Sequence, residues 1–186
     1  ALDLNVYSPH FSADSKSIYV TVEDDMMQRL ARIDIATSAI SDVYSGRFQI
    51  NDFDLTPTNQ VVATITDTTH PAEVYRLDND ARVQLSRHND AMLLARPWQD
   101  AEVIRYNSPD GTEVHGLLMR PDGYRAGKRY PTVLWIHGGP TSQFSYSADI
   151  EPQIFAAHGY AVVMLNPRGS TGRGLEYARV LTGAWG

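Results

Sequence analysis

Residues 130–140, read YPTVLWIHGGP, contain the strand from which the rest of the fold can be worked out. The run from Val133 to Ile136 is apolar and rich in β-branched and aromatic residues, and turn-forming residues close it on both sides. A short apolar run of this kind predicts a strand that is buried on both faces, in the middle of a parallel sheet. The two glycines that follow let the backbone turn sharply and approach a ligand closely.

The sequence after this turn predicts a helix and then a second buried strand. Residues 149–157 have apolar residues at helical spacing, and His158-Gly159 supply a C-terminal cap. The expected apolar face consists of Ile150, Ile154, Phe155 and Ala157. Residues 160–165 are again an apolar run, so the segment predicts a strand–helix–strand unit with parallel strands. A His-Gly-Gly turn that leaves such a strand resembles the turn through which α/β-hydrolases present a backbone N–H to an oxyanion.

Residues 1 to about 96 contain a repeat of short strands. The strand at 18–22 aligns with the strand at 61–66 at an offset of 43 residues, and a second strand follows each of them, at 29–35 and 73–78. A period of ~40–45 residues is typical of β-propeller blades. We therefore expect about two four-stranded antiparallel blades that pack face to face. Because a closed propeller needs ~4–8 blades, the pattern favours a piece of a longer protein over a small sandwich.

A domain boundary is predicted between Leu94 and Asp100, where Pro97 interrupts any helix or strand ladder. The expected fold class is all-β propeller blades over residues 1–96, followed over residues 97–186 by the N-terminal part of an α/β-hydrolase domain. That second domain begins with a β-hairpin, because the turn at residues 108–111 reads Ser-Pro-Asp-Gly, the preferred chemistry of a type I turn.

Composition excludes several classes of function. The net charge of −6 and the absence of a basic run argue against a nucleic-acid partner, and no stretch approaches the ~20 apolar residues of a membrane span. The chain has no cysteine, which excludes disulfides, thiol catalysis and Cys-based zinc sites. The glycine-rich segment 166–174 has neither the lysine of a phosphate loop nor the spacing of a dinucleotide fingerprint. We expect no cofactor and no metal.

Four motifs in order carry a family resemblance. They are His137-Gly138-Gly139-Pro140, then residues 159–164 (GYAVVM), residues 166–174 (NPRGSTGRG) and residues 183–186 (GAWG). Together they resemble the prolyl oligopeptidase family of serine peptidases, in its acylaminoacyl-peptidase and dipeptidyl-peptidase-5-like branch. The resemblance implies a propeller that admits only short peptides to an α/β-hydrolase domain. Two departures are Arg173, where Tyr is usual, and Ala184, where Asp is usual.

The resemblance also implies where the catalytic groups lie. The nucleophile of such hydrolases occupies a G-x-S-x-G elbow, followed by Asp and then His. No G-x-S-x-G occurs in these 186 residues. We therefore expect the triad beyond Gly186, in the rest of the parent polypeptide, and a chain that is incomplete and inactive alone. The oxyanion donor is assigned to the backbone N–H of Gly139, with Gly138 as the alternative.

Other candidate site residues have two interpretations each. Arg168 either clamps a substrate carboxylate or fixes its own loop by binding backbone carbonyls. Phe144 and Tyr146 either line an apolar substrate pocket or pack the loop. His115 and His137 are interpreted as structural, because no nucleophile motif accompanies either one.

Two other classes of function are weighed. An esterase or lipase shares the His-Gly-Gly turn but lacks an N-terminal propeller. A peptide-binding propeller scaffold has no need of an oxyanion turn. The expected partners are a short peptide substrate and the remaining polypeptide. The sequence leaves open the preferred side chain, dipeptidyl or other cleavage, the compartment (cytoplasmic, periplasmic or secreted) and whether the protein is a homo-oligomer.

Overall fold

A computed structural model describes residues 2–78, 81–139 and 141–183. Pro140 and residues 184–186, which belong to two of the sequence motifs, lie outside the described residues. The first half of the chain contains eight strands among these residues. They are β1 (Val6–Phe11), β2 (Ser17–Asp24), β3 (Met27–Asp34), β4 (Ile40–Tyr44), β5 (Gln49–Leu55), β6 (Val61–Thr66), β7 (Glu73–Asp78) and β8 (Ala81–Gln84).

The eight strands form two antiparallel meanders, β1–β4 and β5–β8. The repeat is visible in the structure, since the aligned strands are β2 and β6, and β3 and β7 follow them. One parallel residue pair, Gln28 opposite Gln49, joins the two meanders. The sheets are open, so a propeller is not shown and the assignment of the meanders as blades stays a prediction.

The two meanders share a core. Leu30 of β3 packs with Ile50 and Phe53 of β5 and with Ile65 of β6, all of them buried. Buried residues alternate with less buried ones along β6 and β7, as expected for strands with one face in a core. Apolar burial of this kind contributes about 1.5–3 kcal/mol for each fully buried side chain.

The second half of the chain contains a mixed sheet. Its elements are the short helix α1 (Asp90–Ala95), β9 (Ala101–Asn107), β10 (Glu113–Met119), β11 (Thr132–Trp135), α2 (Ile150–Ala157), β12 (Ala161–Asn166) and α3 (Leu175–Arg179). The sheet order is β11-β12-β10-β9, and β11 and β12 are parallel as predicted. Helix α1, which the sequence did not predict, ends before Pro97. Within the described ranges, no helix has the length and apolar character needed to cross a membrane.

The predicted burial of the organising strand is wrong. Among the residues that the structure describes, strand β11 pairs only with β12 and lies at the edge of the sheet, so it is not a central strand there. Leu134 is 55% exposed and Ile136, directly after the strand, is 77% exposed. The apolar run identifies the strand correctly, but its burial depends on neighbours that these residues do not supply.

The apolar face predicted for α2 is wrong for Ile150 and Ile154, whereas Phe155 packs against the core of the second half as expected. The buried residues of α2 are Pro152, Gln153 and Ala156, whereas Ile150 and Ile154 are about half exposed. The helix is oriented by Gln153, whose side-chain amide donates to the carbonyls of Thr68 and Gln99 and accepts from the Gln99 N–H. These polar bonds turn the isoleucines away from the sheet.

The two halves meet at the β2–β3 turn. Asp25 and Met26 both have positive φ, 26° and 69°, which is the backbone of a two-residue type I′ hairpin loop. Positive φ at a residue with a Cβ costs about 1–2 kcal/mol. Met26 is 1% exposed and packs in the core of the second half with residues such as Leu117 and Met164. Burial of a methionine side chain stabilises by about 1.5–3 kcal/mol and offsets that strain.

Candidate active site

The glycine turn after β11 is the centre of the candidate site. Gly139 has φ +134°, a conformation that favours glycine. A Cβ at position 139 would lie 3.1 Å from the Thr141 nitrogen and 3.2 Å from the Ser142 Cβ, whereas a Cβ at Gly138 would meet nothing within 4 Å. Of the two glycines, it is therefore Gly139 whose backbone favours glycine and whose added Cβ would be in tight contact with its neighbours.

The N–H of Gly139 has no hydrogen-bond acceptor among the residues that the structure describes. Both glycines are exposed. A backbone donor that is held at a strand end and left without a partner can bind an oxygen atom of a ligand. Such a donor is the element from which an oxyanion hole is built.

The loops after β11 and β12 are joined by Asn166, the last residue of β12. The Phe144 N–H donates to Asn166 Oδ1 at 2.7 Å, and Asn166 Nδ2 donates to the Phe144 carbonyl at 2.8 Å. The Tyr177 hydroxyl donates to the Asn166 carbonyl at 2.9 Å. The sequence motifs did not single out Asn166 as a site residue. The available signal was a polar residue that ends an apolar strand and precedes a proline.

His137 lies beside the glycines and contacts both loops. Its Nδ1 is 2.9 Å from the Gly138 carbonyl oxygen, and its Nε2 is 3.0 Å from the Ser170 hydroxyl. The Phe144 ring meets the imidazole edge to face at a centroid distance of 5.2 Å. Phe144 is therefore brought to the turn.

Tyr146 is buried away from the turn, which agrees with the second of its two interpretations, that it packs the loop. The side chain is 6% exposed and belongs to the core of the second half, and the Arg47 guanidinium lies 5.1 Å from its ring centroid. Burial raises the pKa of Tyr146. Of the two aromatic candidates, only Phe144 stays a candidate for substrate contact.

Arg168 is held by a carboxylate rather than by the backbone carbonyls of the predicted loop contact. Its Nη1 donates to Asp110 Oδ2 at 2.7 Å, so it links the loop after β12 to the turn between β9 and β10. The Ser108 hydroxyl and the Thr112 N–H, together with the Arg168 charge, lower the pKa of Asp110 to about 2. Within the described ranges, the guanidinium has no hydrogen bond to Gly138 or Gly139.

His115 is buried at the contact between the halves of the chain. Its Nδ1 is 2.7 Å from Asp25 Oδ1, and its Nε2 lies 3.3 Å from Glu113 Oε1 without the alignment of a hydrogen bond. The residue joins β10 to the β2–β3 turn, and as far as the structure describes the chain it has no hydrogen bond to either glycine. This placement agrees with the structural interpretation.

The β2–β3 turn also supports the site loops. The Asp25 N–H donates to the Gly172 carbonyl at 2.8 Å, and the Met26 N–H donates to Gln143 Oε1 at 2.9 Å. The Thr171 hydroxyl donates to Glu23 Oε1 at 2.6 Å. The first half of the chain therefore borders both loops that surround the glycine turn.

The described residues thus form a mixed sheet with one parallel strand–helix–strand unit, and the glycine turn follows the first of the two parallel strands. Residues 145–186 match the model of the prolyl oligopeptidase family. The uncharacterized peptidase YuxL of Bacillus subtilis is 34% identical over 180 residues, 96% of this chain and 27% of the relative. Dipeptidyl-peptidase 5 of Trichophyton schoenleinii is 26% identical over 184 residues, 95% of this chain and 25% of the relative.

Among solved structures, the acylaminoacyl peptidase of Pyrococcus horikoshii is similar, with a TM-score of 0.84 and 25% identity over 95% of this chain and 27% of that one. These similarities confirm the resemblance to the prolyl oligopeptidase family. The chain spans about a quarter of the length of the relatives that it matches.

Proposed function

We propose that the whole protein is a serine-type peptidase that cleaves short peptides by acyl transfer. The observation that carries the proposal is the turn at Gly138 and Gly139, with an N–H that has no acceptor among the described residues at the end of a parallel strand. The named relatives, which are peptidases, support it. The Gly139 N–H would donate to the oxyanion of the tetrahedral intermediate, an interaction worth ~3–4 kcal/mol of barrier. Gly138 is the alternative donor.

The nucleophile is proposed to lie beyond residue 186. An acyl-transfer enzyme of this class needs a Ser in a G-x-S-x-G elbow, then Asp, then His. None of these 186 residues forms that elbow. Removal of a single triad member lowers the rate by several orders of magnitude, so the chain alone should be inactive.

The two halves of the chain are proposed to be separate parts of the enzyme, with residues 1–96 as the last blades of a propeller and 97–186 as the start of the hydrolase domain. The two four-stranded meanders with a shared core support the first assignment. The hairpin contacts of Asp25 and Met26 with the site loops support a role of the first part in limiting access to the second.

The test compares the full-length protein with the 186-residue chain. Both are treated with a fluorophosphonate probe, which labels an activated serine, and are then assayed on chromogenic peptide amides and on an ester of matched structure. We expect labelling and amide cleavage in the full-length protein only. Ester cleavage without amide cleavage would instead favour an esterase. Binding of peptide without labelling would favour a scaffold, and a reading frame without the elbow would refute the peptidase.

A further inference from the structure

We propose that His137 is a positioning residue, which fixes the peptide unit between Gly138 and Gly139 and so aims the Gly139 N–H at the reacting oxygen. The inference rests on the proposed function, because the N–H matters for rate only if an oxyanion forms there. It differs from a catalytic role for His137, since the imidazole acts on the backbone and does not contact the substrate.

The hydrogen bonds of the ring determine which nitrogen carries the proton. A carbonyl oxygen can only accept, so Nδ1–H must donate to the Gly138 oxygen, 2.9 Å away. In the neutral ring the other nitrogen is then an acceptor, and the Ser170 hydroxyl, 3.0 Å away, donates to Nε2. Ser170 thus supports the tautomer that His137 needs in order to bind the turn.

Because the peptide bond is planar, the hydrogen bond from His137 to the Gly138 oxygen also fixes the direction of the Gly139 N–H. The carbonyl of Gly138 and the N–H of Gly139 belong to one rigid peptide unit, in which they point in opposite directions. Fixing the oxygen therefore fixes the direction of the N–H. Two consecutive glycines have more conformational freedom than any other residue pair, so the unit needs an external restraint. Among the described residues, His137 is the one side chain that hydrogen-bonds to either glycine.

His137 can act as a restraint because it is itself supported. Ser170 is 1% exposed, and its N–H donates to the Pro167 carbonyl at 3.0 Å. On the other side, the ring meets Phe144, whose backbone is held by both polar atoms of the Asn166 side chain. The imidazole thus holds the glycine turn in a fixed position relative to these two loops.

The test uses three variants of the full-length protein. His137→Phe keeps a ring but removes both hydrogen bonds, and kcat should fall about 100-fold, the effect of a misplaced reacting group. KM should change far less, since the oxyanion exists only in the transition state. His137→Asn places an amide N–H near the position of Nδ1 but loses the Ser170 bond and the edge-to-face contact with Phe144. Ser170→Ala loses the Ser170 bond alone. Each should lower kcat by about fivefold, the worth of one hydrogen bond.

His158→Phe is the matched control. Its Nδ1 also donates to a backbone carbonyl, that of Ile154 at 2.8 Å, but at the end of α2. The same substitution there should leave kcat unchanged. A second readout is the affinity for a peptide aldehyde, which forms an oxyanion on binding. It should fall in proportion to kcat across the His137 series, while the affinity for a product peptide stays constant.

Three results would overturn the proposal: a near wild-type kcat in His137→Phe, an equal loss in His158→Phe, or a crystal structure of His137→Phe with an unmoved Gly138–Gly139 peptide unit. If His137→Phe does not fold, His137→Asn and Ser170→Ala decide. A kcat equal to that of the wild type in both, with unchanged affinity for the aldehyde, contradicts the proposal. A wild-type protein that neither cleaves peptides nor reacts with the fluorophosphonate refutes the proposed function. The crystal structure then still decides whether His137 holds the turn.

Discussion

Strands β6 and β11 have equally apolar sequences and very different surroundings. β6 lies between β5 and β7, and its Ile65 is 1% exposed. In the described part of the chain β11 has β12 as its one neighbouring strand and leaves Leu134 more than half exposed. The difference shows that an apolar, β-branched sequence specifies a strand, whereas the burial of that strand depends on the elements that surround it. The two halves of the chain differ in the same way. In the first half the two meanders share a core, whereas the sheet of the second half ends in an exposed strand and an open polar turn.

The comparison predicts unequal costs for the same kind of truncation. Ile65→Ala in the 186-residue chain should lower the free energy of unfolding by about 3–4 kcal/mol, because it leaves a cavity in the shared core. Leu134→Ala should cost about 0.5 kcal/mol, as for other partly exposed positions. Urea unfolding of the two variants measures both values. Equal losses would show that β11 is covered after all.

The exposed turn after β11 should matter for catalysis more than for stability. In the full-length protein, Gly139→Val should lower kcat about 100-fold or more, on the order of 3 kcal/mol, because the side chain collides with the backbone at Thr141 and displaces the donor. The melting temperature should fall by only a few degrees, because the position is exposed and the cost is backbone strain at one residue, about 1–3 kcal/mol. Steady-state kinetics on a chromogenic peptide provide the measurement. If kcat is unchanged with a native melt, Gly138 becomes the donor to test.

The β2–β3 turn joins the two regions and has its own prediction. Met26→Ala should destabilise the 186-residue chain by about 2–3 kcal/mol through the lost burial. Met26→Gly removes slightly more of the side chain, yet it should be more stable than Met26→Ala by about 1 kcal/mol, because glycine adopts φ 69° without strain. Thermal or urea unfolding compares the two. If Met26→Ala is instead more stable than Met26→Gly, the positive φ at position 26 has no cost in stability.

The smallest expected effect concerns the Arg168–Asp110 pair. The pKa of Asp110 is lowered from 3.8 to about 2, chiefly by the Ser108 hydroxyl, with Arg168 contributing charge. A carboxyl with a depressed pKa stabilises the folded state fully above its unfolded pKa, and that contribution is lost as the pH falls through about 2. The free energy of unfolding should therefore fall less steeply between about pH 4 and pH 2 in Asp110→Asn than in the wild type. An NMR titration of Asp110 with a midpoint near 3.8 would contradict the assignment.

Local features of the sequence predicted the elements of the fold well. Strands β2, β3, β6 and β7 with their repeat, the β9–β10 hairpin and the parallel pairing of β11 with β12 follow from turn residues and from apolar runs that are local in sequence. The other four strands of the first half were not located. The edge position of β11 and the rotation of α2 could not be predicted in the same way. Both depend on distant partners, such as the carbonyls of Thr68 and Gln99 that bind Gln153.

The same limit applies to the candidate site. The resemblance to a family places the donor at Gly139 or Gly138, and Phe144 is a candidate because it follows the turn closely; both assignments stay predictions. The burial of Tyr146, the pairing of Arg168 with Asp110 and the bracing role of Asn166 depend on segments that fold back from elsewhere. For Asn166 the partner is Phe144, 22 residues earlier, and for Arg168 it is Asp110, 58 residues earlier.

The β2–β3 hairpin has a consequence for the order of folding. A hairpin with a two-residue loop closes in about 1–10 μs, so this one can form long before its partners are available. Its tip binds Gln143, 117 residues later, and Glu23 binds Thr171, 148 residues later. Contacts of such long sequence separation form slowly because loop closure must precede them. Assembly of the two halves is therefore expected to be a late step, in which a preformed hairpin tip, with Met26 exposed until then, is captured by loops that were synthesised much later.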